Sequence, residues 1–244
     1  MNYYVIAIDG PAGSGKSTIA KFIAKELNIH YIDSGALYRA ATYHFLELHK
    51  NQNTPLEFSK WILSIVESNQ VTDFLSSLDV KIEFGQGDSN RILIHNQDRS
   101  REIRTPEVTA MIRYLANQRV FRDWTNQRLR TLSQKNSLIL DGRDIGTEVF
   151  PQAKYKFFLT ADLDERTKRR WKELQDSGDT RSFEQVREEV HSRDESDRNR
   201  DIAPLIQAVD ANLVDTTGLS LDSVIERILS VIRADKSQVS FGQN

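Results

Sequence analysis

Apolar and polar positions alternate between two periods along this chain. Tyr3-Tyr4-Val5-Ile6-Ala7-Ile8 is apolar throughout, the pattern of a strand covered on both faces. A glycine-rich turn follows, and then Ile19, Phe22, Ile23 and Leu27 recur at helical spacing. Residues 29–32 read as a short second strand. Residues 36–50 read as a helix with Leu37, Ala40, Ala41, Phe45 and Leu48 along one face. Further buried strands are expected at 137–140, 155–159 and 213–214. A last helix is expected over 221–233, turning Val224, Ile225, Ile228, Leu229 and Ile232 inward. Strands and helices in turn predict an α/β fold with a mainly parallel sheet. The polar residues 235–244 are expected to fray as a flexible tail.

The middle of the chain follows another rule. Val80, Ile82 and Phe84 alternate with polar residues, as do Ile92 and Ile94, and Gly85-Gln86-Gly87-Asp88-Ser89-Asn90 lies between them. That is the pattern of an antiparallel hairpin with one wet face. Set among parallel-sheet elements, it marks an inserted subdomain at about residues 55–130. Residues 162–201 are dense in interspersed charges of both signs. By composition this is a solvated helical hairpin with i,i+4 ion pairs; a functional reading needs a partner for its arginines.

Composition narrows the class. The 244 residues carry 33 basic and 35 acidic side chains, a net charge of −2, so no bulk field favours nucleic acid or an anionic membrane. Cysteine is absent, which excludes thiol nucleophiles and zinc–thiolate sites and suits a reducing compartment. No apolar run approaches a membrane span, and the first residues lack the pattern of a signal peptide. A cytoplasmic protein with no membrane or nucleic-acid partner is expected.

The chemistry begins at Gly10-Pro11-Ala12-Gly13-Ser14-Gly15-Lys16-Ser17, which fits G-x-x-x-x-G-K-[ST] in full. Chance alone gives such a match in on the order of 1% of chains this long. Its setting, after a buried strand and before an amphipathic helix, is the one this loop requires. Glycines let successive backbone N–H groups turn toward one anion, and the helix N-terminus adds its dipole. Lys16 is expected at the β- and γ-phosphates of a nucleoside triphosphate, and the Ser17 hydroxyl on Mg²⁺. Gly13 and Gly15 are expected to leave room where phosphate approaches. An N-K-x-D base-reading motif is absent, which argues against a GTPase. Leu138-Ile139-Leu140-Asp141-Gly142-Arg143-Asp144 puts an arginine close behind the first acid, pointing to a second anion and so to a phosphorylated acceptor. Asp33-Ser34-Gly35-Ala36-Leu37-Tyr38-Arg39 suits a helix cap followed by an anion-facing arginine. Arg193, Asp197 and Arg200 share a face if the helix continues through them.

Together with Ile103-Arg104-Thr105-Pro106-Glu107-Val108, Asp141 to Thr147 with Phe150-Pro151, and Arg193 to Arg200 with Ala203-Pro204-Leu205, these stretches resemble the bacterial cytidylate kinases from the first strand to the last helix. The resemblance implies a P-loop NTPase of adenylate-kinase-like fold. A five-stranded parallel core would be built from 1–54, 131–161 and 202–234, with the insert at about 55–130 binding the monophosphate and a lid with its following helix at about 162–201. It implies ATP with Mg²⁺ as donor, bound by Gly10 to Ser17 and Thr18, and CMP or dCMP as acceptor; a monomer is expected. Arg39 and Arg143 would hold the acceptor's phosphate. Ser34, Arg122, Asp144 and Arg200 would line the pyrimidine, and Arg193 with Asp197 would meet the ribose. Arg166, Arg169 and Arg170 would stand at the lid hinge and, with Lys16, act on the transferring phosphoryl group. Arg113 departs from the pattern, standing where the family usually has a serine near the base.

Overall fold

The computed structural model describes residues 3–85, 90–176 and 178–241, with side chains described as far as residue 235. In chain order the elements are β1 (Val5–Asp9), α1 (Lys16–Leu27), β2 (His30–Asp33), α2 (Gly35–Asn51), α3 (Phe58–Glu67), α4 (Val71–Ser77), β3 (Val80–Glu83), β4 (Arg91–Ile94) and β5 (Gln97–Asp98). They continue as α5 (Pro106–Ala116), α6 (Arg119–Ser133), β6 (Leu138–Gly142), β7 (Tyr155–Thr160), α7 (Leu163–Asp176), α8 (Phe183–Asn199), β8 (Asn212–Asp215) and α9 (Leu221–Phe241). The chain divides into two compact units, one of residues 1–31 with 136–244 and one of residues 32–135.

The parallel sheet has five strands in the order β2-β6-β1-β7-β8, and all of it but the last two residues of β2 belongs to the first unit. β1 lies between β6 and β7, parallel to both, with Ile6 opposite Ile139 on one side and Tyr155 on the other. All five residues of β1 are buried, which is why its sequence shows no alternation. Ile19, Ala20 and Ile23 of α1 and Val224, Ile228 and Ile232 of α9 pack with Ile6, Ile8, Phe157 and Leu159 into one core. The larger of these side chains contribute roughly 1.5–3 kcal/mol each. α9 runs past the expected end at 233 to Phe241, so residues 235–241 are helical; no glycine or proline interrupts the chain there. The last three residues of the expected tail lie outside the described residues.

The second unit carries the hairpin. Val80 pairs with Ile94 and Ile82 with Ile92, antiparallel, and β5 adds a third strand that the sequence pattern does not announce. Gln86 to Ser89 of its expected turn lie outside the described residues. α2 belongs to this unit because Phe45, fully buried, meets Trp61, Phe74 and Phe121 ring to ring at 4.9–6.1 Å. The Ile103-to-Val108 stretch resolves into a helix start: Thr105 accepts from the Val108 amide, and Pro106 occupies the first turn of α5.

Candidate active site

β1 ends at Asp9, and the chain turns through Gly10 to Gly15 before α1 begins at Lys16. Gly13 and Gly15 take left-handed φ values of 74° and 84°, which side chains other than glycine rarely adopt. A Cβ on Gly13 would stand 2.6 Å from the Arg166 carbonyl, so what this glycine makes room for is the backbone of α7. At Gly10 a Cβ would come within 2.0 Å of the Leu159 carbonyl. The Ile19 amide is the first to bond back into the loop, to Gly15 at 3.0 Å; the amides of Lys16, Ser17 and Thr18 precede it at the positively polarised end of α1.

Lys16 is buried, its Nζ donating to the Pro11 carbonyl at 2.6 Å and to Ser14 Oγ at 3.3 Å. Burial, reinforced by the Arg143 and Arg193 cations, pushes its pKa well below the ordinary lysine range, against the pull of Asp141 and Asp9. Ser17 Oγ donates to Asp141 Oδ2 at 2.7 Å, and the Tyr31 hydroxyl donates to Asp141 Oδ1 at the same distance. Asp141, the first acid after the apolar run of β6, carries no site role in the sequence pattern. Its signal was its place at the end of a buried strand beside β1.

Asp9 is a second residue to which the sequence pattern gives no role. Its buried carboxylate accepts from the amides of Ile145 at 2.8 Å and Gly146 at 2.7 Å, in a π-helical turn over Ile145–Val149. Burial outweighs those two bonds, Asp144 adds to it, and the pKa rises from 3.8 to about 6. The folded protein therefore keeps this proton to higher pH than the unfolded chain does. The stability it contributes is full below about pH 4 and is lost as pH rises through about 6. Relative to an Asp9→Asn variant, wild-type unfolding free energy should fall by roughly 2–3 kcal/mol between about pH 4 and about pH 6.5. Denaturant titrations of both proteins measure this; a pH-independent difference would contradict it.

Directly after β6, Arg143 Nε donates to Asp197 Oδ2 at 2.7 Å. Arg200 reaches Asp197 Oδ1 at 3.6 Å and Asp144 Oδ1 at 3.7 Å, and its Nε donates to the Ala203 carbonyl at 2.5 Å. Burial raises the Asp197 pKa, but Arg143, then Arg193 and Arg200, outweigh it and hold the carboxyl below its usual range. Four of the expected acceptor residues thus form one group, with Arg193 close enough to act on both Lys16 and Asp197. The expected helical face does not extend to Arg200. α8 stops at Asn199, Arg200 is extended at φ −72° and ψ 142°, and the return through Ala203 is what brings its guanidinium back.

The arginines of α7 differ among themselves. Arg166 is buried; its Nε donates to the Ala161 carbonyl at 2.9 Å and its Nη1 to the Ala12 carbonyl at 3.0 Å and to Asp194. Arg169 binds Glu165, Thr216 Oγ1 and the Thr216 carbonyl at 2.8–3.0 Å, with Nη1 about 4 Å from where a Gly15 Cβ would stand. Arg170, half-buried one turn after Arg166, pairs with Glu173 at 3.2 Å.

In the second unit, Arg39 bonds Asp33, and Arg104 approaches the same carboxylate at 3.6 Å. Ser34 stands at the N-cap position of α2 but is helical itself, and its side chain makes no cap hydrogen bond, so the expected cap is absent. Arg122 is fully buried: its Nε donates to the Ala116 carbonyl at 2.7 Å and its guanidinium lies 5.8 Å from the centre of the Tyr38 ring. Arg113 is exposed on α5, over the ring of its neighbour Tyr114. Among the described residues no helix is long and apolar enough to cross a membrane.

Known proteins resemble this chain in fold and in sequence. A structure from Eubacterium ventriosum, described as an uncharacterized protein, shares the fold at a TM-score of 0.50 with 13% identity, covering 94% of this chain and 98% of that one. The chain is 44% identical to a cytidylate kinase of Clostridioides difficile over 95% of its own length and 99% of the relative's. It is 41% identical to one of Bacillus cereus over 93% and 95%. The profile of the cytidylate kinase family matches residues 6–234, which takes in the loop at Gly10, the Arg143 group and α8 alike, and the chain belongs to that family.

Proposed function

We infer that this enzyme transfers the γ-phosphoryl group of ATP to the 5′-phosphate of CMP or dCMP, giving ADP and CDP or dCDP. The observation that carries the reading is the first unit's strand-end arrangement. A phosphate-binding loop with a buried lysine stands with the Arg143, Asp197, Arg200 and Asp144 group that a phosphorylated, ring-bearing acceptor needs.

An oxygen of the acceptor phosphate attacks the γ-phosphorus, the bond from that phosphorus to the β,γ-bridging oxygen breaks, and ADP leaves. The nucleophile is ionised near neutral pH, so no strong general base is needed. The obstacle is bringing two polyanions together: a single pair of like charges at 4 Å repels by about 4 kcal/mol at an effective dielectric of 20. Lys16 and the arginines offset that repulsion and stabilise charge on the transferring group. The Ser17 hydroxyl and Asp141 carboxylate, 2.7 Å apart, are hard oxygen donors that fit Mg²⁺. Mg²⁺ carried in with ATP would be held there and would neutralise charge on the β- and γ-phosphates. Arg143 is assigned to the acceptor phosphate, Arg193 and Asp197 to the ribose, and Asp144 and Arg200 to the pyrimidine. In the second unit Arg39 is assigned to the phosphate, and Ser34 and Arg122 to the base. Arg166 is also expected at the transferring group, but its Nε and Nη1 are spent on Ala161, Ala12 and Asp194, so Arg169 and Arg170 are the α7 cations proposed for that role. The reading also includes a monomer working in the cytoplasm; light scattering tests the oligomeric state.

The first experiment is a coupled ADP-release assay with Mg-ATP and CMP, dCMP, UMP, AMP, GMP or shikimate as acceptor. Turnover is expected to be fast with CMP and dCMP alone. Turnover led by another acceptor would move the specificity elsewhere.

A further inference from the structure

Both backbone polar groups of Ala12 are held by the same ion pair. The Ala12 amide donates to Asp194 Oδ1 at 3.1 Å, while the Ala12 carbonyl accepts from Arg166 Nη1 at 3.0 Å. Arg166 Nη1 also bonds Asp194 Oδ2, closing a ring of charge-assisted bonds around one residue of the donor loop. Asp194 and Arg166 are 3% and 5% exposed, so water competes little with these bonds. The next residue, Gly13, rests against the Arg166 carbonyl closely enough to exclude a side chain. Because the Ala12 amide points at a carboxylate, it is unavailable to phosphate, and the anion-binding run of amides starts after it.

We propose that Asp194 and Arg166 are positioning residues for the donor loop, setting its shape from α8 and α7 before any nucleotide arrives. This rests on the reading that the loop takes ATP. Neither side chain touches the reacting atoms; the pair acts through Ala12. Asp194 also follows Arg193 directly and precedes Asp197 by less than one helical turn, so α8 carries the loop's grip beside the acceptor group. The loss on removing the pair should nevertheless fall on the donor, because none of its bonds described here goes to an acceptor residue.

Two variants separate this from a general structural role. Asp194→Asn keeps the size and removes the charge. Arg166→Met combined with Asp194→Leu removes both buried charges at similar volume, which cores commonly tolerate, and leaves the Ala12 peptide without its grip. Dissociation constants are measured by calorimetry for the β,γ-imido analogue of ATP and, separately, for CMP. The analogue should bind at least about tenfold more weakly to both variants, with CMP affinity within about twofold of wild type. Unchanged analogue affinity in the double variant, or parallel loss for both nucleotides, would overturn the proposal. Should neither variant fold, amide exchange on the nucleotide-free wild-type protein decides. The Ala12 amide should exchange at least about 100-fold more slowly than an unstructured amide, and rapid exchange would overturn the proposal. If wild type binds the analogue but not CMP, the acceptor assignment fails while the loop proposal stands.

Discussion

Lys16→Ala should lower kcat by about 100- to 1,000-fold, the loss seen when one preorganised group that stabilises transition-state charge is removed. The fold should survive it. In the nucleotide-free protein the ammonium is buried under its own loop, held by the Pro11 carbonyl and Ser14, and burial depresses its pKa, so the charge is a burden on the folded state. Removing it therefore should not lower the melting temperature by more than a few degrees. The burden becomes an asset when the β- and γ-phosphates arrive and give the cation the partner it lacks in Pro11. Steady-state kinetics and circular-dichroism melts check both halves. Wild-type turnover in the variant would sink the mechanism, and a collapsed melt would make Lys16 structural.

The second large effect concerns the choice of base. Asp144 is buried and ionic with Arg200, and as a carboxylate it only accepts. In the proposed pose cytosine offers it the exocyclic N4 amine, whereas uracil would offer O4 and leave two acceptors facing each other. A site built around a hydrogen bond rejects the mismatched analogue strongly, by up to about 10⁴-fold, because the buried group is left unpaired. Asp144→Asn can turn its amide to donate or to accept, so it satisfies either base. CMP kcat/KM should fall by about 100-fold, UMP should fall less, and the preference for CMP should shrink by at least about tenfold. Competition kinetics with the two nucleotides read the ratio directly. An undiminished preference would show that another residue reads the base.

Some of this was plain in the residues and some could not have been. The strand, glycine turn and helix from Val5 to Leu27 follow from local rules, since burial on both faces, left-handed glycines and a helix start each leave their mark nearby. α6 leaves a weaker mark. Its buried face includes Arg122, Thr125 and Asn126 beside Phe121 and Leu129, so the apolar stripe that announces a helix is broken by polar residues. Asp9 and Asp194 were invisible for another reason. Asp9 accepts from backbone amides 136 and 137 positions away, and Asp194 from one 182 positions away as well as from Arg166; an amide has no letter in the sequence, and Arg166 is one of many arginines nearby. Helical spacing predicts Arg200 beside Asp197, and the two do meet, but by another geometry. A helical projection continues past Asn199, whereas the chain turns there and reaches the same carboxylate by a loop.

The sheet order fixes when the protein can fold as it is made. β1 sits at its centre, yet β6 and β7, the strands it pairs with, come far later; the amide of Tyr4 bonds Ser137, 133 positions on. At about 5–20 residues per second, synthesis keeps the first strand waiting on the order of ten seconds for its first neighbour. Residues 32–135 emerge whole in that interval and close their aromatic core over shorter separations. The unit in the middle of the sequence should thus become protected from exchange before either end, leaving the apolar run of β1 exposed meanwhile, the segment a chaperone would have reason to hold.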